Sequence, residues 1–404
     1  MRLRSGGGVQ RSVWVAGTQW YWPVVVIWLA GIGAAGQFAK ISVTFDQIGL
    51  LYPEAGASLG FALSILGTAG ILLGVVSGVL ASRIGIRRTL IGGLTLSAMV
   101  SFVQAMGVSF DAFLVSRVVE GLAHLAIVVA APTLIARVAP EEKRAFSLTL
   151  WGTFFGVAFA LFAWVGRPLV ASYGVQAMFL AHAIWMAGSV VAVSLLKLPE
   201  DAPSGQGGLS LRGLLKRHWE IYRSPFLNAA AVGWLFYTFC FVSLLTLIPP
   251  FIAPEWRTFT VGAMPFMSMV TSMTLGVWLL RYLSVLQVIV CGFLASAAAA
   301  AMLLVLPGAP LVCLIFAGAL GLIQGASFAL VPVLNETAAD RADANGVFAQ
   351  AGNLGNTIGT PILLGVLAVS GYGGMIGVIL GALLAGAFAH LGLARARVRK
   401  SVIR

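Results

Sequence analysis

Three ionisable residues that lie close together in the sequence suggest a specific chemistry. Arg117, Glu120 and His124 are separated by three and four residues within an apolar stretch, a spacing that places them on one face of an α-helix. A carboxylate beside a guanidinium can take up a proton when the guanidinium moves away from it to bind an anion, and it can release the proton when the guanidinium returns. The pattern predicts either a proton-exchanging face, with Glu120 as its main proton site, or an Arg–Glu pair that only joins helices. His124 is the weaker candidate, because a lone histidine can also be a satisfied core residue.

A second polar pair, Gln37 and Lys40, is spaced by three residues in the first apolar segment. The two side chains share a helical face, which could line the same route as Arg117 and Glu120. Lys40 lies toward the end of its segment, where a lysine can instead extend its ammonium group to the membrane interface. The sequence leaves both interpretations of Lys40 open.

Uncharged polar residues form a stripe near the C-terminus. Gln350, Asn353 and Thr357 recur at spacings of three and four residues, so they too share a helical face. Tyr237 and Gln324 are weaker candidates of the same kind. Such stripes either line a cavity or hydrogen-bond helices to one another, and the sequence does not decide between these roles.

The segments that must position these residues belong to a membrane protein. Hydrophobic residues make up 59% of the 404 residues, while charged residues make up only 9%, against about 25% in ordinary soluble domains. A soluble globule could not bury so much apolar surface, and disordered chains are poor in hydrophobic residues. Long unbroken apolar runs also differ from the alternating segments of a transmembrane β-barrel. The composition predicts an all-α membrane protein.

Polar breaks divide the apolar sequence into twelve candidate spans, each long enough to cross a bilayer. Their predicted limits are 20–45, 57–81, 88–108, 112–138, 146–169, 176–197, 227–251, 262–281, 284–306, 310–335, 346–369 and 374–394. With twelve spans, one side of the membrane holds both basic termini and almost all Lys and Arg residues of the connections. Only Arg167 and Arg257 fall on the other side. Since basic loops face the cytoplasm, both termini are predicted to be cytoplasmic.

The longest polar break lies midway and separates six spans from six. The predicted organisation is a cytoplasmic N-terminal tail (1–19), an N-terminal six-helix bundle (20–197), a cytoplasmic central loop (198–226), a C-terminal six-helix bundle (227–394) and a basic cytoplasmic tail (395–404). An internal echo supports duplication, because Gly121 and Pro132 recur 200 residues later as Gly321 and Pro332. The two halves are therefore predicted to be repeats of one bundle.

Other ligand motifs are absent or have a simpler explanation. The GxGxxG pattern at 31–36 lacks the strand–helix–strand context of a dinucleotide site, and small residues that let helices approach explain it better. No phosphate-binding GxxxxGK[ST] sequence occurs, so nothing suggests that ATP drives the protein. The three cysteines show no CxxC spacing. No metal site, cofactor or nucleic-acid partner is expected.

The connection after the second span carries a family signature. Its residues Gly78, Ser82, Arg83, Gly85, Arg87 and Arg88 resemble the loop between helices 2 and 3 of the major facilitator superfamily, although that family has an acidic residue where Ser82 stands. The stretch 117–121, with its Arg, Glu and Gly, is similar to the helix-4 pattern of the same family. The resemblance covers the whole chain through its two sets of six spans, and it implies that the signature loop helps to gate the cytoplasmic side.

The resemblance implies a transporter rather than an enzyme. Two bundles would rock about a central site to move a small solute by alternating access, most often coupled to protons. The predicted interior holds two cations and one carboxylate, which favours an organic anion as the solute. A multidrug or metabolite efflux antiporter is the alternative, although the glycine signature of helix 5 in drug/proton antiporters is missing. We expect a monomer in the lipid bilayer of the plasma membrane, the inner membrane if bacterial.

Overall fold

The computed structural model describes residues 20–198 and 211–402, and every regular element in these two ranges is a helix. The predicted tail 1–19 and the central part of the predicted loop lie outside the described residues, as do the surroundings of Gly78 and the side chain of Ser82. The α-helices are α1 (Tyr21–Ser42), α2 (Phe45–Leu51), α3 (Leu59–Ser64), α4 (Thr68–Ile84), α5 (Ile86–Ala105), α6 (Phe110–Val138), α7 (Glu141–Gly152), α8 (Phe154–Leu161), α9 (Arg167–Tyr173), α10 (Val175–Leu195), α11 (Leu211–Arg223), α12 (Ala229–Leu247), α13 (Pro254–Thr271), α14 (Val277–Leu279), α15 (Val285–Val305), α16 (Pro310–Leu334) and α17 (Ala338–Val402).

Several of these helices join into longer runs through irregular turns. Short 3-10 turns lie at Pro53–Ser58, Ile65–Gly67 and Pro249–Phe251, and π-helical turns lie at Phe162–Gly166 and Ser272–Gly276. Within the described ranges, eleven helical runs are long and apolar enough to cross a membrane, judged by length and composition. The predicted all-α membrane fold is confirmed. The count of twelve spans stays a prediction, because the last run, Asp343–Arg399, is counted once.

That last run is a hairpin rather than one rod. Gly371 interrupts α17 with φ 65° and ψ −168°, which is not a helical conformation. On either side of this break, Gly352 lies against Trp234 and His390 lies against Gly233. Since these neighbours are adjacent in α12, the two halves of α17 run side by side in opposite directions. A twelve-span topology requires this fold-back.

Glycine turns mark corresponding positions in the two halves of the chain. Gly174 joins α9 to α10 with φ 81° and ψ 170°, a backbone conformation close to that of Gly371. Gly107 and Gly308 precede α6 and α16 with φ values of 72° and 66°. Residues other than glycine rarely adopt such positive φ angles, so these turns depend on the absence of a Cβ atom. The matched turns agree with the predicted duplication.

The packing divides at the central connection. Helices α1, α4, α5, α6, α8 and α10 contact one another, as do α12, α13, α15, α16 and α17. Contacts between the two groups are formed mainly by α3 and α4 with α17, by α8 with α13, and by α1 with α12. We refer to the two groups as the N-terminal and C-terminal bundles. At one seam, the indole of Trp164 covers Gly262, where a Cβ would overlap it.

The glycines of the GxGxxG pattern serve close helix packing. The pattern lies in α1, with its glycines at Gly31, Gly33 and Gly36. A Cβ atom on any of them would overlap a large side chain of a neighbouring helix. The overlapping side chains are Trp151 at Gly31, Met186 and Trp185 at Gly33, and Phe162 at Gly36. The predicted packing role is confirmed, and it brings α1 close enough to α10 for polar contacts.

Candidate functional site

Three charged residues of the N-terminal bundle form one buried cluster. Lys40 Nζ lies 2.6 Å from Glu120 Oε1, and Arg117 Nη1 binds Glu120 Oε2. All three side chains are 0% exposed. The carboxylate of α6 therefore holds a cation from its own helix and a cation from α1.

This arrangement changes the interpretation of Lys40. The sequence allowed its ammonium group to reach the membrane interface, but the structure buries it against Glu120. Lys40 lies in the last turn of α1, where the partial negative charge of the helix end favours a cation. The interface interpretation is wrong, because the neighbouring helices supply a buried carboxylate within reach.

Arg117 also holds the backbone of two other helices. Its Nε donates to the carbonyl of Ala62 in α3, and its Nη2 donates to the carbonyl of Gln37 in α1, both at 2.8 Å. Arg117 and Glu120 pair directly at a spacing of three residues, as the helical pattern predicted. One guanidinium thus ties together α1, α3 and α6.

Helix α5 supplies a polar shell that the sequence analysis did not identify. Ser101 Oγ and Gln104 Oε1 accept hydrogen bonds from Lys40 Nζ at 2.8 Å and 2.7 Å. Gln104 Nε2 donates to Glu120 Oε2 at 3.0 Å. One turn earlier, Ser97 Oγ accepts from the amide of Gln37 at 2.7 Å. The spacing of Ser97, Ser101 and Gln104 by four and three residues in an apolar span was the signal available in the sequence.

Two histidines border the cluster. His124 Nδ1 lies 3.2 Å from the carbonyl of Ala34 and 2.9 Å from Gln37 Oε1. Since both of these atoms accept, Nδ1 carries the proton. His182 on α10 was missed, although it lies 2.7 Å from Ser101 Oγ and is buried. A single histidine in an apolar span gives no sequence signal of its partners.

The candidates on α12 and α16 lie in the C-terminal bundle, away from this cluster. Tyr237 is buried between the rings of Trp234 and Phe241, with ring centroids 4.5 Å and 5.3 Å away. Gln324 Oε1 accepts a hydrogen bond of 3.3 Å from Ser268 Oγ. These contacts pack helices together, and the structure does not bring Tyr237 or Gln324 to the charged residues.

Gln350 connects three parts of the molecule. Its Nε2 donates to the carbonyl of Ile71 in the N-terminal bundle at 2.7 Å, and its Oε1 accepts from the hydroxyl of Tyr222 on α11 at 3.0 Å. Partial burial raises the pKa of the Tyr222 phenol, so it remains a donor. Helix α11 itself packs through the buried Ile221 onto the C-terminal bundle. Gln350 thus links α11 to the contact between the two bundles.

The rest of the α17 stripe packs on glycines across the same seam. Asn353 lies against Gly70 and Thr357 lies against Gly67, and a Cβ on either glycine would overlap these side chains. Asn353 Nδ2 also donates to the carbonyl of Ala349 at 3.0 Å. Of the two roles that the sequence left open, the structure shows contact between helices.

The predicted gate loop forms a tight turn between α4 and α5. Gly85 has φ 99° and ψ 128°, a conformation that favours glycine. Arg87 Nη2 donates to the carbonyl of Ser194 at 2.9 Å. Arg83 and Arg88 are exposed. The turn places three basic residues together at one end of the bundle, which we call the basic end.

Different contacts join the bundles at the opposite end. Ser42 Oγ of α1 and Thr246 Oγ1 of α12 lie 2.7 Å apart. They border a cavity of about 120 Å³ that also includes Asp46 and Arg167. Arg167 binds the carbonyl of Val43 and lies 3.3 Å from Asp46, with its side chain only 11% exposed. Arg167 therefore holds the connection between α1 and α2.

Comparison with known proteins places this architecture in a family. The sequence-family model of the Major Facilitator Superfamily matches residues 27–362 of this chain. The chain is 25% identical to the inner membrane transport protein YajR of Escherichia coli (strain K12) over 195 residues, which are 48% of this chain and 40% of YajR. It is 23% identical to the quinolone resistance protein NorA of Staphylococcus aureus (strain MRSA252) over 206 residues, 51% of each protein. The chain thus matches about half the length of these curated relatives, or less.

Solved structures share the fold across nearly the whole chain. A bacterial homologue of the human lysosomal transporter Spinster, in an inward-facing and unoccupied conformation, has a TM-score of 0.74 at 14% identity and covers 95% of this chain and 99% of its own. A mutant of the nucleoside transporter NupG has a TM-score of 0.72 at 13% identity, with coverages of 92% and 99%. The chain is therefore an integral membrane protein that belongs to the major facilitator superfamily of transporters.

Proposed function

We propose that this protein is a secondary active transporter that moves a small organic anion and couples the movement to protons at Glu120. The observation that carries the proposal is the buried cluster, in which one carboxylate holds two cations. Among the described residues, Lys40, Arg117 and Glu120 are the fully buried Lys, Arg, Asp or Glu side chains. They leave one positive charge without a buried counter-charge.

This surplus charge supports an anionic solute. An uncompensated charge away from water costs several kcal/mol, and an anion bound beside Lys40 or Arg117 would remove that cost. The planar guanidinium of Arg117 can bind a carboxylate through two parallel hydrogen bonds. A solute carboxylate would then compete with Glu120 for the same donors.

The competition provides the coupling. When Glu120 takes up a proton, it loses the charge that holds Lys40 and Arg117, and these cations become available to the solute. When Glu120 releases the proton, it recovers the cations and displaces the solute. Proton binding and anion binding are thus linked through shared donors, and such linkage is reciprocal.

Alternating access would deliver the solute to this cluster. We propose that the bundles 20–197 and 227–394 rock against each other at the seams formed by α3, α4 and α17 and by α8 and α13. In this proposal the basic end faces the cytoplasm with both termini, and the loop containing Arg83 gates it. The protein would act as a monomer in the plasma membrane, the inner membrane if bacterial.

The test uses purified protein in proteoliposomes. Organic anions are screened by solid-supported membrane electrophysiology, and a transported anion is then followed in proton-driven uptake and in counterflow. Glu120→Gln should abolish proton-driven accumulation and preserve counterflow, because an amide cannot exchange the proton. The control is Glu255→Gln, which makes the same change at an exposed carboxylate of the C-terminal bundle. A Glu120→Gln protein that still concentrates the anion in a proton gradient would disprove the coupling role.

An efflux antiporter for apolar or cationic compounds is the second candidate. Two observations favour it: all three charges are sealed from the surface, and the chain is similar over half its length to the quinolone resistance protein NorA. The same proteoliposomes, loaded with ethidium, discriminate between the two functions. Proton-driven ethidium movement without any anion current would support efflux and contradict the organic-anion proposal.

A further inference from the structure

The buried histidine of α10 has a defined protonation pattern. His182 Nε2 lies 2.8 Å from the backbone carbonyl of Gly33 in α1. A carbonyl oxygen only accepts, so Nε2 carries a hydrogen. The other ring nitrogen, Nδ1, lies 2.7 Å from Ser101 Oγ. In a neutral His182, Nδ1 therefore accepts, and Ser101 is its donor.

The Ser101 hydroxyl has more than one acceptor for its hydrogen. Lys40 Nζ lies 2.8 Å from Ser101 Oγ, and an ammonium group can only donate. Ser101 thus receives a hydrogen bond from Lys40 and passes its own hydrogen onward. One acceptor is His182 Nδ1 at 2.7 Å, and the other is Glu120 Oε1 at 3.5 Å. The hydroxyl stands between an imidazole and the carboxylate of the cluster.

From this geometry we propose that His182 is a second proton-binding site, which exchanges its proton with Glu120 through the Ser101 hydroxyl. The inference rests on the proposed proton coupling, and it adds the residue that delivers the proton. His182 and Glu120 lie on different helices, α10 and α6, and Ser101 of α5 bridges them. The relay joins three helices of the N-terminal bundle.

The transfer step balances without any further reactant. A protonated His182 gives its Nδ1 proton to Ser101 Oγ, while the original hydroxyl proton of Ser101 moves to Glu120 Oε1. One N–H bond and one O–H bond break, and two new O–H bonds form. The products are a neutral imidazole, an intact serine and a neutral carboxyl group. Lys40 and Arg117 are then no longer held by a negative charge on Glu120.

The charged surroundings of His182 favour passage of the proton over its retention. The ionisable groups that face it are Lys40 from α1 and Arg117 and Glu120 from α6, and α5 contributes the uncharged Ser101. A positive imidazolium would stand near two other cations, with Glu120 as the single nearby anion. Transfer to Glu120 removes both opposite charges at once, which lowers the cost of burying them.

A pH-jump experiment on the purified protein tests the relay without knowledge of the solute. Time-resolved infrared spectroscopy follows the carboxyl C=O band of Glu120, identified by its loss in Glu120→Gln. Ser101→Ala and His182→Gln should each slow the appearance of this band by at least about 100-fold, as loss of a positioned proton donor does. The matched control is Ser296→Ala, a buried serine of α15 in the C-terminal bundle that donates to the carbonyl of Gly292. This variant should keep the wild-type rate.

The outcomes separate the relay from the proposed function. A wild-type protein whose Glu120 band never appears would contradict proton coupling at Glu120. A band that appears at the wild-type rate in both Ser101→Ala and His182→Gln would overturn the relay alone. Nitrogen-15 solid-state NMR of wild-type histidines gives a check that needs no folded variant of the cluster. A neutral His182 should carry its hydrogen on Nε2, and the opposite tautomer would also overturn the relay.

Discussion

The two bundles pack corresponding helices in the same way. Gly121 of α6 lies against the backbone carbonyl of Leu66, and Gly321 of α16 lies against that of Ser268. In both cases a Cβ would overlap the carbonyl group. The two glycines are separated by the 200-residue offset that the sequence echo suggested. Backbone packing of the repeats is therefore alike at this position.

The side chains next to these glycines differ completely in chemistry. At the offset defined by the glycines, Arg117 corresponds to Ala317 and Glu120 corresponds to Leu320. All four residues are buried, with exposures of 1% or less. The N-terminal bundle has an ion pair where the C-terminal bundle has an apolar contact.

The neighbouring helices show the same difference. Gly93 of α5 packs on α6, and Gly292 of α15 packs on α16 in the same manner, which sets the register between these helices. In that register, the polar Ser101 of α5 corresponds to the buried Ala300 of α15. The comparison shows that one packing scheme supports both a charged and an apolar interior. We therefore infer that this packing does not require a charged interior, which supports the proposal that the charges serve transport.

The largest effect is expected when the carboxylate of the charged interior is removed. Glu120→Leu copies the residue of the C-terminal bundle and leaves Lys40 and Arg117 buried without an anion. Breaking a buried pair in this way costs about 3–5 kcal/mol, so the variant should unfold at a clearly lower temperature in a fluorescence melting assay. The control Leu320→Met should change stability by less than about 1.5 kcal/mol.

A triple variant sharpens that result. Lys40→Met, Arg117→Met and Glu120→Leu together replace the whole charged group by apolar residues of similar size. Such replacements are neutral or stabilising by about 1–4 kcal/mol, so stability should return while transport stays absent. A triple variant as unstable as Glu120→Leu would show that the charged interior is required for folding.

The next prediction tests whether the stability of the two bundles depends equally on Gly121 and Gly321. Gly121→Val and Gly321→Val each place a side chain into a backbone carbonyl of the neighbouring helix. Overpacking of this kind costs about 1–3 kcal/mol, and the two losses should be similar in the same melting assay. Loss of stability in only one of the two variants would contradict equivalent packing.

A smaller effect separates contacts between bundles from contacts within one bundle. Ser42→Ala removes the hydroxyl that meets Thr246 across the seam, at a cost of about 0.5–1.5 kcal/mol. Ser243→Ala removes a hydroxyl that meets Thr360 within the C-terminal bundle. Both should lower the melting temperature slightly, but only Ser42→Ala should change the turnover rate. Equal turnover rates in the two variants would argue against a role of this seam in transport.

The smallest effect on stability is expected at the basic end. Arg83→Ala alters the predicted gate loop, and Arg281→Ala alters the corresponding loop before α15. Both residues are exposed, so stability should change by no more than about 0.5 kcal/mol. Arg83→Ala should slow turnover in the liposome assay with little change in solute affinity, whereas Arg281→Ala should leave both unchanged. A loss of affinity at normal turnover would contradict the gate assignment.

Much of the architecture could be predicted because bilayer crossing leaves a strong signal in sequence. Long apolar runs predict helices, since only helices satisfy backbone hydrogen bonds inside lipid without partner strands. The pairing of Arg117 with Glu120 was also predictable, because residues three apart on a helix are always neighbours. Helical periodicity likewise grouped Gln350, Asn353 and Thr357 on one face.

What each helical face touches could not be predicted from periodicity. Lys40 is 80 residues from Glu120 and 61 from Ser101, and only the packing of α1 against α5 and α6 brings them together. The stripe on α17 could have lined a cavity, but the glycines of α4 and its preceding 3-10 turn approach it closely. His182 escaped notice because its partners, Ser101 and the Gly33 carbonyl, lie on other helices.

The sequence by itself therefore determined the class of protein, its all-helical character and the pair Arg117–Glu120, and it predicted the duplicated layout. These features depend on composition and on local spacing, which a single helix already expresses. The tertiary structure alone decided that Lys40 completes the charged cluster and that His182 reaches Glu120 through Ser101. Those contacts depend on the rotation and depth of each helix relative to its neighbours, and the close approaches at Gly33 and other small residues set both.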